Sequence, residues 1–250
     1  MGGKGNRLKL VRGAALMTGL GVIGICPPAF ASPFHIPDAD AATEWEVKVS
    51  ADYERVGGET VRDAPVLDIT APLRPGLETS ITFGWGRFEE DGSAADGFLD
   101  FEWAVKAELT RQERGALASI AIEPALIAPT GTHGLSEHVW AAELPVIVSK
   151  VFGPVELRGL ASYAHPFSED GEDEIGLGLL ASISLAESFS VGVEAGRDAS
   201  VDHFDEAEVS FGVGAKWEFT DGYELQARVG RVREDAEDGT EVTIFLERAF

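Results

Sequence analysis

The feature that most constrains this chain is an alternation of apolar and polar side chains that recurs from Trp45 to the C-terminal Phe250. In the first such stretch, residues 45–53, the odd positions are apolar or aromatic and the even positions are charged or hydroxylated. Successive side chains of a β-strand point to opposite faces, so the pattern predicts strands with one apolar and one polar face.

Twelve stretches carry this pattern, and together they predict an all-β fold. They span residues 45–53, 66–72, 78–88, 98–109, 116–128, 138–149, 155–165, 174–185, 189–197, 208–219, 223–233 and 240–250. In the fourth stretch, the pattern places Leu99, Phe101 and Trp103 on the apolar face and Asp100 and Glu102 on the polar face. Most stretches are about 9 to 13 residues long, enough for a tilted strand to cross a bilayer.

The first thirty-one residues have the three-part pattern of a secretory signal peptide. Basic residues, Lys4 to Arg12, precede an apolar run over 13–26, and Ala29-Phe30-Ala31 supplies a small-x-small cleavage site. The predicted organisation is a cleaved signal peptide over 1–31, a flexible periplasmic lead-in over 32–43 and a barrel over 44–250. Lipidation at Cys26 is a minor alternative, and without the leader the chain contains no cysteine for a disulfide.

Charge decides which face of the strands meets lipid. If the fourth stretch exposed its polar face, Asp100, Glu102, Lys106 and Glu108 would enter hydrocarbon, and basic residues there cost about 2 to 4 kcal/mol each. The sequence therefore predicts a transmembrane antiparallel up-and-down β-barrel of about 12 strands. Its aromatic residues would form two interfacial girdles, an external one at Tyr53, Trp85, Trp140 and Tyr163 and a periplasmic one at Trp45, Trp217, Tyr223 and Phe250. The alternative is a soluble β-sandwich or lipocalin-like barrel with its apolar face inward.

The connections between the stretches alternate in predicted length. Short turns at 74–76, 111–115, 150–154, 186–188 and 220–222 alternate with longer stretches at 56–64, 89–97, 129–137, 166–173, 198–207 and 234–239. Outer-membrane barrels have short periplasmic turns and longer external loops, so the pattern predicts an outer-membrane location. Four external stretches, 89–97, 166–174, 198–208 and 234–239, together hold 18 acidic residues and no Lys or Arg, which predicts a solvated acidic collar.

The predicted lumen is acidic. Its candidate lumen and selectivity residues are Glu102, Lys106, Glu108, Glu123, Glu143, Arg158, Glu194 and Lys216. Acidic rings favour cations, which predicts a channel or uptake porin for small solutes that is cation-preferring or weakly selective. Inward glycines at 84, 86, 178 and 212 favour an open lumen, whereas charges that pair across the lumen would give a non-conducting structural barrel.

Other partners follow from charge and from the chain end. The net charge is −23, and −27 without the leader, so nucleic acid is not an expected partner. Five arginines at predicted external strand ends have outward parity and are candidates for lipopolysaccharide contact: Arg55, Arg87, Arg197, Arg231 and Arg233. The closing strand that ends at Phe250 resembles the assembly signal of bacterial outer-membrane barrels, which implies recognition by the barrel assembly machinery.

Enzymatic activity is a third, weaker alternative. His138 and His165 lie at external strand ends near Ser136, Ser162 and Ser168, so a rim hydrolase or a transition-metal site is conceivable. The sequence shows no orienting third group. We assign no catalytic residues, no cofactor and no metal ligands.

The middle of the chain resembles a known family. Pro129-Thr130-Gly131, the stretch from Leu144 through Ser149-Lys150-Val151-Phe152-Gly153-Pro154, and Leu157 to Tyr163 are similar to the outer-membrane transporter family named for the meta-pathway of phenol degradation. The resemblance implies a barrel of this size and a role in the uptake of small compounds, aromatic ones among them. It carries over no binding residues.

Overall fold

A computed structural model describes residues 36–90, 92–136, 138–169, 171–204, 207–234 and 237–250. The predicted signal peptide, 1–31, lies outside the described residues. The remaining chain forms one antiparallel sheet of 15 segments that closes into a barrel of 12 strands.

The segments alternate with short connections along the chain. They are β1 (Glu46–Val56), β2 (Glu59–Arg74), β3 (Leu77–Glu90), β4 (Ser93–Phe98), β5 (Phe101–Thr110), β6 (Ser119–Ile122), β7 (Ala125–Ala128), β8 (Ala141–Glu143), β9 (Val146–Phe152), β10 (Val155–Pro166), β11 (Glu174–Ala186), β12 (Phe189–Ser200), β13 (Glu208–Thr220), β14 (Tyr223–Glu234) and β15 (Glu237–Ala249). A 3₁₀ turn, Gln112–Arg114, precedes β6. The pairs β4/β5, β6/β7 and β8/β9 are each one barrel strand with a break.

The first and last strands close the barrel. β1 pairs with β15 in an antiparallel register that runs from Glu46 opposite Ala249 to Val56 opposite Gly239. The Phe250 N–H donates to the Trp45 carbonyl at 2.9 Å, which extends the ladder to the chain end. The antiparallel up-and-down barrel predicted from the sequence is therefore confirmed.

Two of the three breaks occur at prolines. Pro124 separates β6 from β7, and Pro145 separates β8 from β9, because proline has no N–H to give to a ladder. The neighbouring hydrogen bonds persist, since the Val105 N–H donates to the Pro124 carbonyl and the Glu123 N–H donates to the Pro145 carbonyl. The barrel thus stays closed across both breaks.

The break at Leu99 corrects the predicted facing of one side chain. Leu99 and Asp100 are both buried, and Phe98 is 62% exposed on the outer wall. The Leu99 N–H donates to the Gly84 carbonyl at 3.0 Å while the chain gains one residue relative to the partner strand. This insertion reverses the parity on its N-terminal side, so the prediction that Leu99 faces outward is wrong.

Three of the predicted external loops are mostly strand. β1 and β2 are joined at Gly57-Gly58, β3 and β4 meet near Gly92, and β14 and β15 extend to Glu234 and Glu237. Gly57 and Gly92 have φ of +53° and +84°, the left-handed conformation that tight hairpins require. The polar residues of these hairpins pair outside the lipid zone, where the apolar alternation that marks the other strands is absent.

The outer wall is apolar and the inner wall is polar. All five tryptophans are exposed on the outside, by 41% to 55%, together with rows of Val, Leu, Ile and Phe. Buried positions of the same strands are largely Ser, Thr, Asp, Glu, Lys and Arg. A soluble barrel would have the opposite arrangement, so this wall fits lipid. No helix among the described residues is long and apolar enough to cross a membrane.

The apolar outer wall predicts that a charged substitution destabilises the barrel most where it lies near the centre of the membrane. Val229 is half exposed on β14 and lies in the central part of that strand. We expect Val229→Arg to destabilise the barrel in phospholipid vesicles by about 2 to 4 kcal/mol, because the guanidinium would enter hydrocarbon. Urea-induced unfolding measures the change, with Val229→Leu as control. Equal stability of the two variants would contradict a lipid-facing position.

Candidate functional site

The eight candidate residues predicted for the lumen all lie on its inner wall. Glu102, Lys106, Glu123, Glu143 and Glu194 are almost completely buried inside the barrel. Glu108 and Arg158 have side chains that are 3% and 11% exposed, and Lys216 lies closer to the periplasmic opening, where its side chain is 40% exposed. The strand alternation thus places all eight on one surface.

The periplasmic half of the lumen, on the side of the short turns, contains paired charges. Lys106 Nζ lies 3.0 Å from Glu78 Oε1 and 3.8 Å from Glu123 Oε2. Arg158 pairs with Glu156 at 2.8 Å, and Arg111 pairs with Glu108. Lys216 lies 2.5 Å from Glu224. Each of these cations is paired with at least one acidic group of the wall.

The external half of the lumen is dominated by acids. Arg228 is completely buried and lies 2.6 Å from both Glu194 Oε1 and Glu241 Oε2, a bridge between β12, β14 and β15. Additional buried acids line this half: Glu54, Glu143, Glu174, Asp198 and Glu208. Both carboxylate oxygens of Glu102 are buried without a hydrogen-bond partner among the described residues. The proportion of acidic to basic side chains therefore increases from the periplasmic to the external half.

Residues 36–43, which we call the lumen segment, enter the barrel. The sequence predicts a flexible periplasmic lead-in over 32–43, but Ile36, Ala39 and Ala41 are buried inside the lumen. Ile36 packs against Leu160 and Leu180. Ala39 packs against Ala121, Ile147 and Leu160. The described part of the lead-in thus covers an apolar strip of the inner wall, and the expected position is corrected.

Polar contacts hold the same segment in place. Asp38 Oδ2 lies 3.9 Å from Arg158 Nη2, and Asp40 Oδ1 lies 3.7 Å from Arg111 Nε. The Ala41 N–H donates to Glu108 Oε1 at 2.8 Å, and the Ala42 N–H donates to Glu78. The carboxylates of the segment therefore pair with arginines of the wall, and its backbone N–H groups donate hydrogen bonds to acids of the wall.

The two segment carboxylates have opposite pKa shifts. Burial acts to raise the pKa of Asp38, but Arg158, with Lys106 and Lys216, holds that pKa below its ordinary value. The pKa of Asp40 is raised by burial and by the neighbouring Asp38 charge. Asp38 is therefore the segment carboxylate whose charged form is favoured by docking.

Three of the inward glycines leave room for neighbouring side chains, whereas the sequence predicted that they would leave the lumen open. A Cβ at Gly178 would lie 2.8 Å from the Ile36 side chain, and one at Gly212 would lie 2.5 Å from Arg228. A Cβ at Gly86 would lie 2.5 Å from Asp63. The side chain of a neighbouring residue therefore occupies the space beside each of these three glycines.

A cavity remains beside the segment at the periplasmic end. It has a volume of about 320 Å³ and is lined by residues of the segment and of the wall, among them Asp38, Lys48, Asp68 and Glu247. The segment thus forms part of the lining of this polar chamber.

His165 and Ser162, two residues of the hydrolase alternative, do not face each other. His165 Nδ1 lies 2.6 Å from Asp173 Oδ1, and the Tyr163 hydroxyl donates to Asp173 Oδ2 at 2.6 Å. The hydrogen bond from Tyr163 has the larger effect and that with His165 the smaller one, and both lower the pKa of Asp173. Ser162 is buried in the lumen, on the opposite face of β10 from His165. Within the described ranges, no group of three or more His, Cys, Asp or Glu is arranged to hold a metal ion.

Sequence reasoning did not identify the lumen segment, although a signal was available. Leu160, Leu180 and Ile147 occupy inward positions that alternation reserves for polar residues, and Ile36 is an isolated apolar residue near Asp38. Apolar side chains that face a water-filled lumen are unfavourable unless another part of the protein packs against them. Which segment covers them is decided only by the folded chain.

Comparison with known proteins identifies the architecture. Residues 73–243 match the model of the family described as "Putative MetA-pathway of phenol degradation". The COG4313 outer membrane channel from Pseudomonas putida F1 is similar in structure, with a TM-score of 0.66, 17% identity, and coverage of 85% of this chain and 98% of that one. No curated protein matches the sequence significantly.

Two other solved structures share the barrel. The KdgM porin in complex with disordered oligogalacturonate has a TM-score of 0.55 and 10% identity, and the alignment covers 81% of this chain and 99% of that one. The CymD monoaromatic hydrocarbon channel has a TM-score of 0.51 and 7% identity, with 84% and 89% covered. At these identities the likeness shows the fold, which is that of outer-membrane channels and porins.

The Arg228 bridge yields a prediction about stability. Arg228→Met should destabilise the barrel by about 3 to 5 kcal/mol, because Glu194 and Glu241 would lose their buried partner. Urea-induced unfolding in vesicles measures the loss. The triple variant Arg228→Met/Glu194→Gln/Glu241→Gln should recover most of it, since no unpaired charge remains; a triple variant as unstable as the single one would mean that the bridge acts through packing.

Proposed function

Because the chain belongs to the MetA-pathway family and is an outer-membrane β-barrel, we propose that it is a channel for small solutes that the lumen segment closes from the periplasmic side. The observation that carries the proposal is the occupation of the lumen by residues 36–43. A segment that fills a polar, charged lumen without a covalent bond to its wall is suited to reversible closure.

The contacts of the segment support reversibility. Its two ion pairs span 3.7 and 3.9 Å, and its apolar contacts involve one isoleucine and small alanines. Such contacts are weaker than the strand ladders that form the wall. Withdrawal of the segment would join the periplasmic cavity to the external half of the lumen and leave Arg158 and Arg111 exposed to water.

The charge distribution supports a cation preference. Acids line the external half around the Arg228 bridge, whereas Lys106, Arg158 and Lys216 lie in the periplasmic half. A solute that enters from outside would meet the negative zone first, and low-dielectric walls focus such a field. Small cationic or neutral solutes therefore fit this path better than anions. The similar structures include a monoaromatic hydrocarbon channel and a porin in complex with oligogalacturonate, and the acidic external half of the lumen favours the uncharged aromatic class.

Assembly of the barrel depends on the same closing strand in this proposal. Phe250 is 61% exposed on the outer wall, at the end of a strand that is already paired to β1. Its exposed ring is available to the barrel assembly machinery before closure, and lies at the periplasmic interface afterwards.

Closure predicts a redox-controlled channel variant. In the chain without its leader, which contains no other cysteine, Ala39→Cys/Ala121→Cys would place two thiols at an existing contact between segment and wall. Oxidation should hold the channel closed in planar bilayers, and reduction should restore the intermittent openings of the wild type. Ala39→Cys alone is the control.

A variant that lacks residues 36–43 separates closure from a non-conducting barrel. It should give larger and longer openings than the wild type, because the segment no longer fills the lumen. Silence of the wild type, the reduced double-cysteine variant and the deletion variant alike would support the structural barrel instead.

Cation preference is tested by the reversal potential in a salt gradient. The wild type should be cation-selective, and Glu102→Gln/Glu208→Gln should move its reversal potential toward zero, because two acidic groups leave the wall of the lumen. Glu187→Gln, in a periplasmic turn, is the matched control. An anion-selective wild type, or equal shifts in both variants, would contradict the acidic-lumen explanation.

A further inference from the structure

Arginines are concentrated on one side of the outer wall. Six of them lie near the external ends of their strands and face away from the lumen: Arg55, Arg62, Arg87, Arg197, Arg231 and Arg233. They belong to β1, β2, β3, β12 and β14. These strands lie within one continuous arc of the sheet, in the order β3-β2-β1-β15-β14-β13-β12. Arg62 was not among the five arginines predicted from the sequence, because residues 56–64 were predicted to be a loop and Arg62 lies in β2.

The strand alternation separates charge across this arc. Beside the outward arginines, Glu54, Asp198, Glu208 and Glu241 are buried on the lumen side. On the outside, Glu89 pairs with Arg62 at 3.5 Å and with Arg87 at 2.6 Å, and Asp238 lies 4.0 Å from Arg233. Asp96, also exposed, lies opposite Arg87 in the ladder between β3 and β4. Three carboxylates thus lie beside three of the six arginines, and the outer surface of the arc retains an excess of positive charge.

The opposite side of the barrel is different. The described external ends of β4, β7, β8, β10 and β11 contain neither Lys nor Arg. Their outward residues there include Trp140, Tyr163 and His165, with Asp173 beside them. Cationic side chains that only extend to water at the membrane boundary would be expected all around the barrel. Here the strands on the opposite side have no Lys or Arg at their described external ends.

The arginines lie at the height in the membrane at which lipid headgroups are expected. Tyr53 and Trp85 each lie two residues closer to the membrane centre than Arg55 and Arg87 on the same strands. Two residues of a strand span about 6.6 Å. Aromatic rings mark the membrane interface, so the guanidinium groups lie just outside it, at the level of headgroup phosphates.

From this one-sided distribution we infer that the arginine arc is a binding surface for the phosphate groups of lipopolysaccharide in the outer leaflet. A guanidinium offers two parallel N–H groups to phosphate oxygens, which an ammonium does not. The side chains are accessible, since Arg62, Arg87 and Arg233 are 49%, 47% and 66% exposed.

Arg55 and Arg231 form the centre of the surface. Both flank Thr240 of β15: Thr240 is opposite Arg55 in the ladder, and Arg231 Nη1 donates to its hydroxyl at 3.2 Å. Two guanidinium groups on strands that both neighbour β15 can converge on one phosphate. At the edge of the arc, Arg197 lies over the Phe204 ring at 4.2 Å, which fixes its orientation.

The test titrates the full-length protein, purified in detergent, with lipid A that carries both phosphates, and detects complexes by native mass spectrometry. Arg55→Gln/Arg231→Gln should weaken binding on the order of tenfold or more, because charge-assisted hydrogen bonds are lost. Arg55→Lys/Arg231→Lys should give an intermediate loss. The matched control is Arg74→Gln/Arg114→Gln, which removes two exposed cations near the periplasmic end.

Three results would overturn the inference. These are equal binding by the wild type and the Arg55/Arg231 variant, an equal loss in the periplasmic control, and equal affinity of the wild type for lipid A without phosphates. Competition by millimolar inorganic phosphate alone would indicate a general anion surface rather than a lipid site. All variants alter exposed side chains of the outer wall, and resistance of the folded barrel to detergent unfolding verifies that each is folded.

Discussion

The antiparallel pairing of β1 with β15 is the interaction on which the rest of the structure depends. A sheet edge in hydrocarbon would leave a row of N–H and C=O groups without partners, at a cost of several kcal/mol each. The ladder from Glu46 opposite Ala249 to Val56 opposite Gly239 removes that edge. Once the sheet is closed, the two-residue alternation sends apolar side chains to lipid and ionised ones into a confined interior. The contents of the lumen are a consequence of this closure.

Confinement then determines how the charges are arranged. Arg228 of β14 is completely buried between Glu241 of the adjacent β15 and Glu194 of β12, which reaches it across β13. In the periplasmic half, Arg158 and Arg111 use acids of the wall together with Asp38 and Asp40 of the lumen segment. The segment is therefore part of the charge balance of the lumen as well as its cover, and its removal would change both the width and the charge of the path.

Much of the fold was predictable because alternation is a local signal. The twelve predicted strands, and the eight inward candidates from Glu102 to Lys216, required only the pleat of a strand and the cost of charge in lipid. Predictions failed where geometry departs from the regular pleat. Leu99 changes face because one inserted residue reverses parity, and Arg62 was missed because hairpins outside the bilayer have no apolar face to mark them.

By itself, the sequence determined that this chain is a membrane barrel with a polar interior and a cationic outer rim, since these properties depend on residues two apart on one strand. Only the tertiary structure decided what fills the interior and how the rim is distributed. Ile36 meets Leu180, and Arg55 approaches Arg231, because closure brings together strands that are far apart in the chain. Contacts of that kind depend on register and curvature, which a local pattern does not encode.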